Sequence, residues 1–280
     1  MSLPICVACG VQYEGTIASP PVSCPVCEDE RQYVRREGQA WTTLEALRET
    51  ERVNRVIEVE PGLYSVQTEP RVAIGQRALL VQSDAGNVLW DCVTYLDDAT
   101  VEAIRQLGGI RYIAISHPHY YSAMVEWAEA FDAQIVLHED SKEWVMRPSE
   151  RITFWSGDAL ELAAGVTMLR VGGHFTGSAV LHWQQGQAGK GVLLTGDTIY
   201  VVADRKWVSF MYSYPNLIPL PAFEVERIRD LVQAYEFDRL YGAWPHSVVE
   251  TDARQAVIRS ADRYIAALTS RPQNELKNRF

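Results

Sequence analysis

Hydrophobic positions are scattered over the first sixty residues and then gather into short apolar runs separated by turns. Residues 31–60 are charged and weakly amphipathic, and their spacing predicts one helix at about 43–52. Apolar runs at 62–67, 78–82 and 88–92 predict antiparallel strands, the last two split by the turn Ser83-Asp84-Ala85-Gly86-Asn87. From about residue 97 the period changes. A helix is predicted at 97–107, capped by Asp97 or Asp98 and stopped by Gly108-Gly109. A strand at 111–116, a helix at 122–131 and a strand at 134–138 follow. Further strands are predicted at 166–171, 179–183, 191–195 and 239–241, with helices at 221–235 and 251–268. A meander followed by β-α alternation predicts an α+β fold, two packed sheets with helices outside.

Composition narrows the setting. The chain has 280 residues, a formal net charge of −10, 47% hydrophobic and 22% charged residues, as expected of a globular protein. A chain of this length buries enough surface to need no disulfides. The acidic balance argues against nucleic acid or an anionic membrane as a partner met over a broad face. No apolar run approaches the ~18 residues of a membrane-spanning helix. The N-terminus lacks a basic segment followed by an apolar one, so no export signal is expected and the cytoplasm is the expected compartment.

Four of the five cysteines form two pairs, Cys6-x-x-Cys9 and Cys24-x-x-Cys27, with fourteen residues between them. Two intervening residues let both thiolates of a knuckle point at one ion, and four sulfur ligands suit Zn²⁺. Gly10 and Pro25 supply turn-formers at the knuckles. The alternative, two disulfides in an exported module, is disfavoured by the absence of an export signal. Residues 1–35 therefore read as a zinc ribbon and 36–280 as a second, larger domain. Residues 1–40 carry five acids and three bases, which favours a structural role or a protein partner for the ribbon over nucleic acid.

Ligand-capable side chains recur where predicted strands end. His117 and His119 form an H-P-H step after the strand at 111–116, and an extended i, i+2 pair projects to one side. His174 follows the strand at 166–171 through Gly172-Gly173, Asp197 follows that at 191–195, and His246 follows that at 239–241. Each is unremarkable alone; four such junctions together point to a metal site. His138 and His182 read as structural residues, and Cys92 as a buried inert thiol.

These junctions resemble those of the metallo-β-lactamase-fold superfamily over about residues 60–250. His117 and His119 match the first two histidines of its HxHxDH motif. Gly173-His174-Phe175-Thr176-Gly177-Ser178 resembles GHTPGS, Thr195-Gly196-Asp197 resembles (T/S)GD, and His246 stands for the last ligand. Asp91 is similar to the aspartate that buttresses the site from the first hairpin. The resemblance implies an αββα sandwich with a metal site at one edge of the sheets. The chain departs from the motif at Tyr121, where the family has Asp, and at Ser122, where it has the third histidine. Those positions usually serve the second metal, so one ion, Zn²⁺ or Fe²⁺, is expected on His117, His119 and His174. Asp197 would complete its shell or orient a water, His246 would act as an outer partner or general acid, and the Tyr121 phenol remains a candidate at the second position.

Residues 199–221, rich in aromatics (Tyr200, Trp207, Phe210, Tyr212 and Tyr214), are expected either to lie over the mouth of the site and form a pocket wall or, equally, to pack in the core. The function expected is a hydrolase acting on a small molecule through a metal-bound hydroxide. Three alternatives stand beside it. One is a mononuclear non-haem iron oxygenase of the same fold. Another is a binding module with a relic metal site. The third, an RNA-processing nuclease, is disfavoured by the acidic charge and incomplete motif.

Overall fold

The computed structural model describes residues 2–269. Near the N-terminus β1 (Ile5–Cys6) pairs with β2 (Trp41–Thr42), enclosing the four cysteines in a small region of turns. Seven strands then form the first sheet: β3 (Val53–Glu60), β4 (Leu63–Glu69), β5 (Ala78–Val81), β6 (Val88–Trp90), β7 (Tyr112–Ala114), β8 (Gln134–His138) and β9 (Ile152–Trp155). They lie in sequence order, antiparallel from β3 to β6 and parallel from β6 to β9. Helices Asp98–Gln106 and Met124–Phe131 make the first two parallel crossovers.

The second sheet starts with β10 (Ala159–Ala163), β11 (Val166–Arg170), β12 (Ala179–Trp183) and β13 (Val192–Leu194), all antiparallel. Two short ribbons follow, β14 (Tyr200–Val201) with β15 (Val208–Ser209) and β16 (Met211–Ser213) with β17 (Ile218–Pro219). Helix Ala222–Val232 returns the chain to β18 (Arg239–Tyr241), parallel to β13, and β19 (Val248–Val249) closes the edge. Helix Ala253–Thr269 ends the described chain.

Alternation along the strands builds the layers. Val88, Trp90, Ala114 and Val136 face one way and meet Met168, Leu181, Val192 and Leu194 of the opposite sheet. Their neighbours Leu89, Ile113 and Ile135 face the other way, under helix Met124–Phe131. Val180 and Leu193 likewise face the helices Ala222–Val232 and Ala253–Thr269. Sheets buried on both faces require apolar residues at successive positions, which β13 supplies throughout and β12 at all but His182. The result is the expected αββα sandwich.

The N-terminal region packs on this body. Cys6, Cys9, Cys24 and Cys27 share one apolar cluster with Ile113, Ile135, Tyr120 and Trp127. The Gln12 amide donates to the Ser122 carbonyl at 3.0 Å, and the Thr94 hydroxyl to the Gly10 carbonyl at 3.3 Å.

Three sequence expectations are corrected. The helix expected at 43–52 spans only Leu44–Arg48, its start capped by Thr43, whose hydroxyl accepts from the Ala46 amide at 3.1 Å. The charged stretch after it is the edge strand β3, whose exposed positions include the charges Arg55 and Glu58, which guard against pairing with other chains. Strands β9 and β10 had no predicted counterpart, because short, half-exposed runs such as Ala159–Ala163 carry little apolar signal.

Candidate metal centre

Three loops at one edge of the sandwich bring His117, His119, His174 and Asp197 together. One ligand atom from each lies within 4.8 Å of the others, and all four residues are buried. His117 and His119 are not the extended i, i+2 pair expected. His117 is extended, and Pro118–Tyr120 then forms a short 3₁₀ turn that swings His119 back toward the cluster. The imidazoles meet edge to face, with ring centroids 4.9–5.1 Å apart.

Three of the four ligands, His117, His174 and Asp197, are held from behind. His117 Nδ1 lies 2.8 Å from Ser116 Oγ, and the Ser116 amide donates to Asp91 Oδ1 at 2.7 Å. Burial pushes the Asp91 carboxyl up to about 6, against the opposing influence of His117 and Ser116. Gly196 has φ of 53°, and a Cβ there would stand 2.4 Å from Ser116 Oγ, so glycine is needed for Asp197 to approach. His174 Nδ1 donates to the Tyr212 carbonyl at 2.9 Å, which fixes the tautomer and aims Nε2 at the cluster. Asp197 Oδ2 lies 3.5 Å from His117 Nε2, while Oδ1 accepts a 2.7 Å hydrogen bond from the Tyr120 hydroxyl.

Electrostatics suit ligation. Burial, reinforced by the neighbouring imidazoles, pushes His119 well below the usual histidine range and His174 down to about 3. Both rings are therefore neutral, with lone pairs free. Burial pushes the Asp197 carboxyl up, but bonds and charges from His117, His174 and Tyr120 outweigh it and hold it below the usual range. Among the described residues, Nε2 of His117 and of His119 are buried with no hydrogen-bond partner. His117 Nε2 stands unpartnered 3.5 Å from the Asp197 carboxylate, and His119 Nδ1 meets His174 Nε2 at 3.4 Å; such buried nitrogens beside a carboxylate are costly in an apolar interior and are the donor set a divalent cation satisfies. The residues fit a metal ion.

Asp91, His117, His119, His174 and Asp197 thus stand at strand-end positions of one superfamily, and the model of that family, the metallo-β-lactamase superfamily, matches residues 73–241. The chain belongs to the metallo-β-lactamase superfamily. It is 58% identical over 267 residues to the uncharacterized protein YmaE of Bacillus subtilis (strain 168), covering 95% of this chain and 97% of that one. Solved structures of the same fold include VMB-1, at 12% identity and a TM-score of 0.57, covering 76% of this chain and 97% of that one. The metallo-β-lactamase SMB-1 aligns at 17% identity and a TM-score of 0.53, over 76% of this chain and 95% of that one. MEM-A1, a subclass B3 enzyme from a soil metagenome library, aligns at 18% and 0.52, with the same two coverages. At these identities the likeness shows the fold alone.

Tyr121 and His246 do not join the cluster. The Tyr121 hydroxyl points to the Ser141 carbonyl at 3.4 Å, and burial pushes its pKa up, so the phenol stays neutral. Ser122, at the third-histidine position, is tied away as well: its hydroxyl donates to the Cys92 carbonyl at 3.2 Å and accepts from Gln76 Nε2 at 3.0 Å. His246 is exposed at the tip of a loop that closes on itself, the Gly242 amide donating to the Ser247 carbonyl at 2.7 Å. The loop turns Trp244 toward the cluster in its place.

The aromatic segment divides. Trp207 lies under Arg263 at 3.7 Å, and Phe210 is buried against Tyr264, so both pack on the C-terminal helix rather than over the site. Tyr212 reaches His174 through its carbonyl, and Tyr214 lies 5.8 Å from the His174 ring and donates its hydroxyl to the Asp197 carbonyl at 2.7 Å. A cavity of about 190 Å³ opens beside His119 and Asp197, walled by Tyr200, Tyr214, Trp244 and Arg31. Sequence reasoning missed Tyr120, Ser116 and Arg31. Tyr120 sits inside the matched motif, whereas nothing in the sequence places Arg31 near His174.

The cysteines form a second cluster. All four are free thiols, with Sγ atoms 3.7 Å apart for Cys6–Cys27 and for Cys9–Cys24. Tyr13 donates to Cys24 Sγ at 2.9 Å and Gln39 Nε2 to Cys6 Sγ at 3.3 Å, bonds that favour thiolate. This arrangement fits a zinc ribbon.

Proposed function

We propose that the chain is a metal-dependent hydrolase of a small molecule, with one ion on His117, His119, His174 and Asp197 and a structural Zn²⁺ on Cys6, Cys9, Cys24 and Cys27. The observation that carries this reading is the buried cluster of three imidazoles and one carboxylate, their ligand atoms within 4.8 Å of one another and His117 Nε2 unpartnered beside Asp197. A divalent ion held there supplies Lewis acidity and makes a coordinated water acidic enough to attack near neutral pH.

The chain's own residues prepare the site. Tyr120 occupies one oxygen of Asp197 and leaves Oδ2 toward the histidines. Burial and the Asp197 charge push the Tyr120 phenol well above its ordinary range, so it stays a donor. Tyr200, Tyr214 and Trp244 give the cavity an aromatic wall that limits water. Its volume of about 190 Å³ falls below the roughly 300 Å³ of common ligand sites. That suits a small substrate, or the reactive end of a larger one. A single ion is favoured because Tyr121 and Ser122 are turned to Ser141 and Cys92.

Metal analysis of the purified chain tests the reading. About two equivalents are expected, falling to one in His119→Ala. Three equivalents would restore a dinuclear centre, and one equivalent, lost with the cysteines, would indicate a non-catalytic module. Iron at the histidines together with oxygen consumption would convert the reading to an oxygenase.

A further inference from the structure

The segment that leaves the cysteine cluster runs directly to the histidine site. Helix Pro25–Glu28 carries Cys27, and Arg31 follows four residues later. Arg31 Nε and a terminal nitrogen fork onto the two oxygens of Asp29 at 2.6 and 2.8 Å. Its other terminal nitrogen donates to the His174 carbonyl at 3.2 Å. The guanidinium lies 3.8 Å from the centroid of Phe175, the residue next to His174.

The segment is also pinned from the far side. The Glu30 carbonyl accepts from Ser213 Oγ at 2.5 Å and from Asn216 Nδ2 at 2.8 Å. Those residues adjoin Tyr212, whose carbonyl holds the His174 ring. Backbone and ring of His174 are thus fixed by two neighbouring segments that are bonded to each other. Such support matters here because His174 follows Gly172 and Gly173, with φ of 59° and 78°, the most permissive backbone available.

We propose that Arg31 is a positioning residue for His174, holding the ligand's backbone from a segment anchored at the cysteine cluster. The Asp29 fork and the His174 carbonyl together take three of the guanidinium's five donors, so Arg31 is engaged chiefly with the protein. Burial pushes the Asp29 carboxyl up, but the bonds from Arg31 outweigh it and keep it below the usual range, so the fork stays charge-assisted.

This inference rests on the histidine cluster binding a metal. The test uses the full chain with Zn²⁺ in the cysteine cluster, titrated with Co²⁺ and followed by the cobalt visible spectrum. Removing an outer support of a metal ligand costs about ten-fold or more in affinity. Arg31→Ala should lose that much at the histidine site and shift its cobalt band, while the zinc content of the cysteine cluster stays unchanged. Arg31→Lys should not restore either, because an ammonium cannot make the fork. Should Arg31→Ala fail to fold by circular dichroism, Asp29→Asn, which weakens the fork from the other side, gives the same readout. Wild-type affinity and spectrum in the folded variant overturn the proposal. No cobalt at the histidines of the wild-type chain would overturn the metal site as well, which separates the two failures.

Discussion

Tyr120 and Asp197 stand 77 positions apart in the chain, and a 2.7 Å hydrogen bond joins the phenol to the carboxylate at the floor of the metal centre. The bond sets which oxygen of Asp197 faces the histidines. It also explains why Tyr120 is fully buried although it carries a hydroxyl.

Tyr120→Phe leaves a buried carboxylate oxygen without its donor, at a cost of about 1–3 kcal/mol in stability. Metal affinity of the histidine site should fall about ten-fold, the size expected for loss of an outer partner. Thermal unfolding and a cobalt titration check both; wild-type values in each would remove Tyr120 from the site.

Tyr121→Phe is the matched control. Its hydroxyl makes a single 3.4 Å contact with the Ser141 carbonyl and none with the cluster. Metal content should not change, and stability should shift by less than about 1 kcal/mol. Loss of one equivalent would show that the phenol is a ligand after all.

Cys24→Ser removes one thiolate and puts a neutral hydroxyl in place of the sulfur that accepts from Tyr13. One equivalent of zinc should disappear, and amide exchange should quicken across residues 4–42. Because the cysteines pack against Ile113 and Trp127, exchange at the Gln12 amide, bonded to Ser122, reports whether the loss spreads. Protection retained throughout the large body is the expected result; unfolding of the whole chain would show one cooperative unit.

His182 gives a pH effect remote from the metal. Burial lowers its pKa below the usual 6.5, and its Nε2 bonds the Glu236 carbonyl at 2.8 Å. The folded state therefore binds fewer protons than the unfolded chain in the window below 6.5, so stability is fully present above that value and falls as pH drops through the window. Melting temperature should decline from pH 7 to pH 5, and His182→Gln, which keeps a donor but does not titrate, should decline less. Equal slopes would assign the acid loss elsewhere.

The sequence by itself determined the elements with strong periodicity, the paired cysteine knuckles and the strand-end junctions that hold His117, His119, His174 and Asp197. Those signals are local: alternation marks a strand, and a glycine before a histidine or aspartate marks a close approach. Weakly patterned β3, β9 and β10 were not legible, because edge and half-exposed strands do not need a continuous apolar face.

Tertiary structure decided which of the candidates meet. Tyr121 and His246 occupy motif positions, yet a 3₁₀ turn after His117 aims the neighbouring Tyr120 at Asp197, and a self-closing loop leaves His246 exposed. Arg31 reaches His174 across 143 positions because the cysteine region folds back on the first sheet, and no local pattern encodes that return. Side-chain type and spacing write the ligands into the chain, but the direction each side chain takes depends on turns and packing partners distant in sequence.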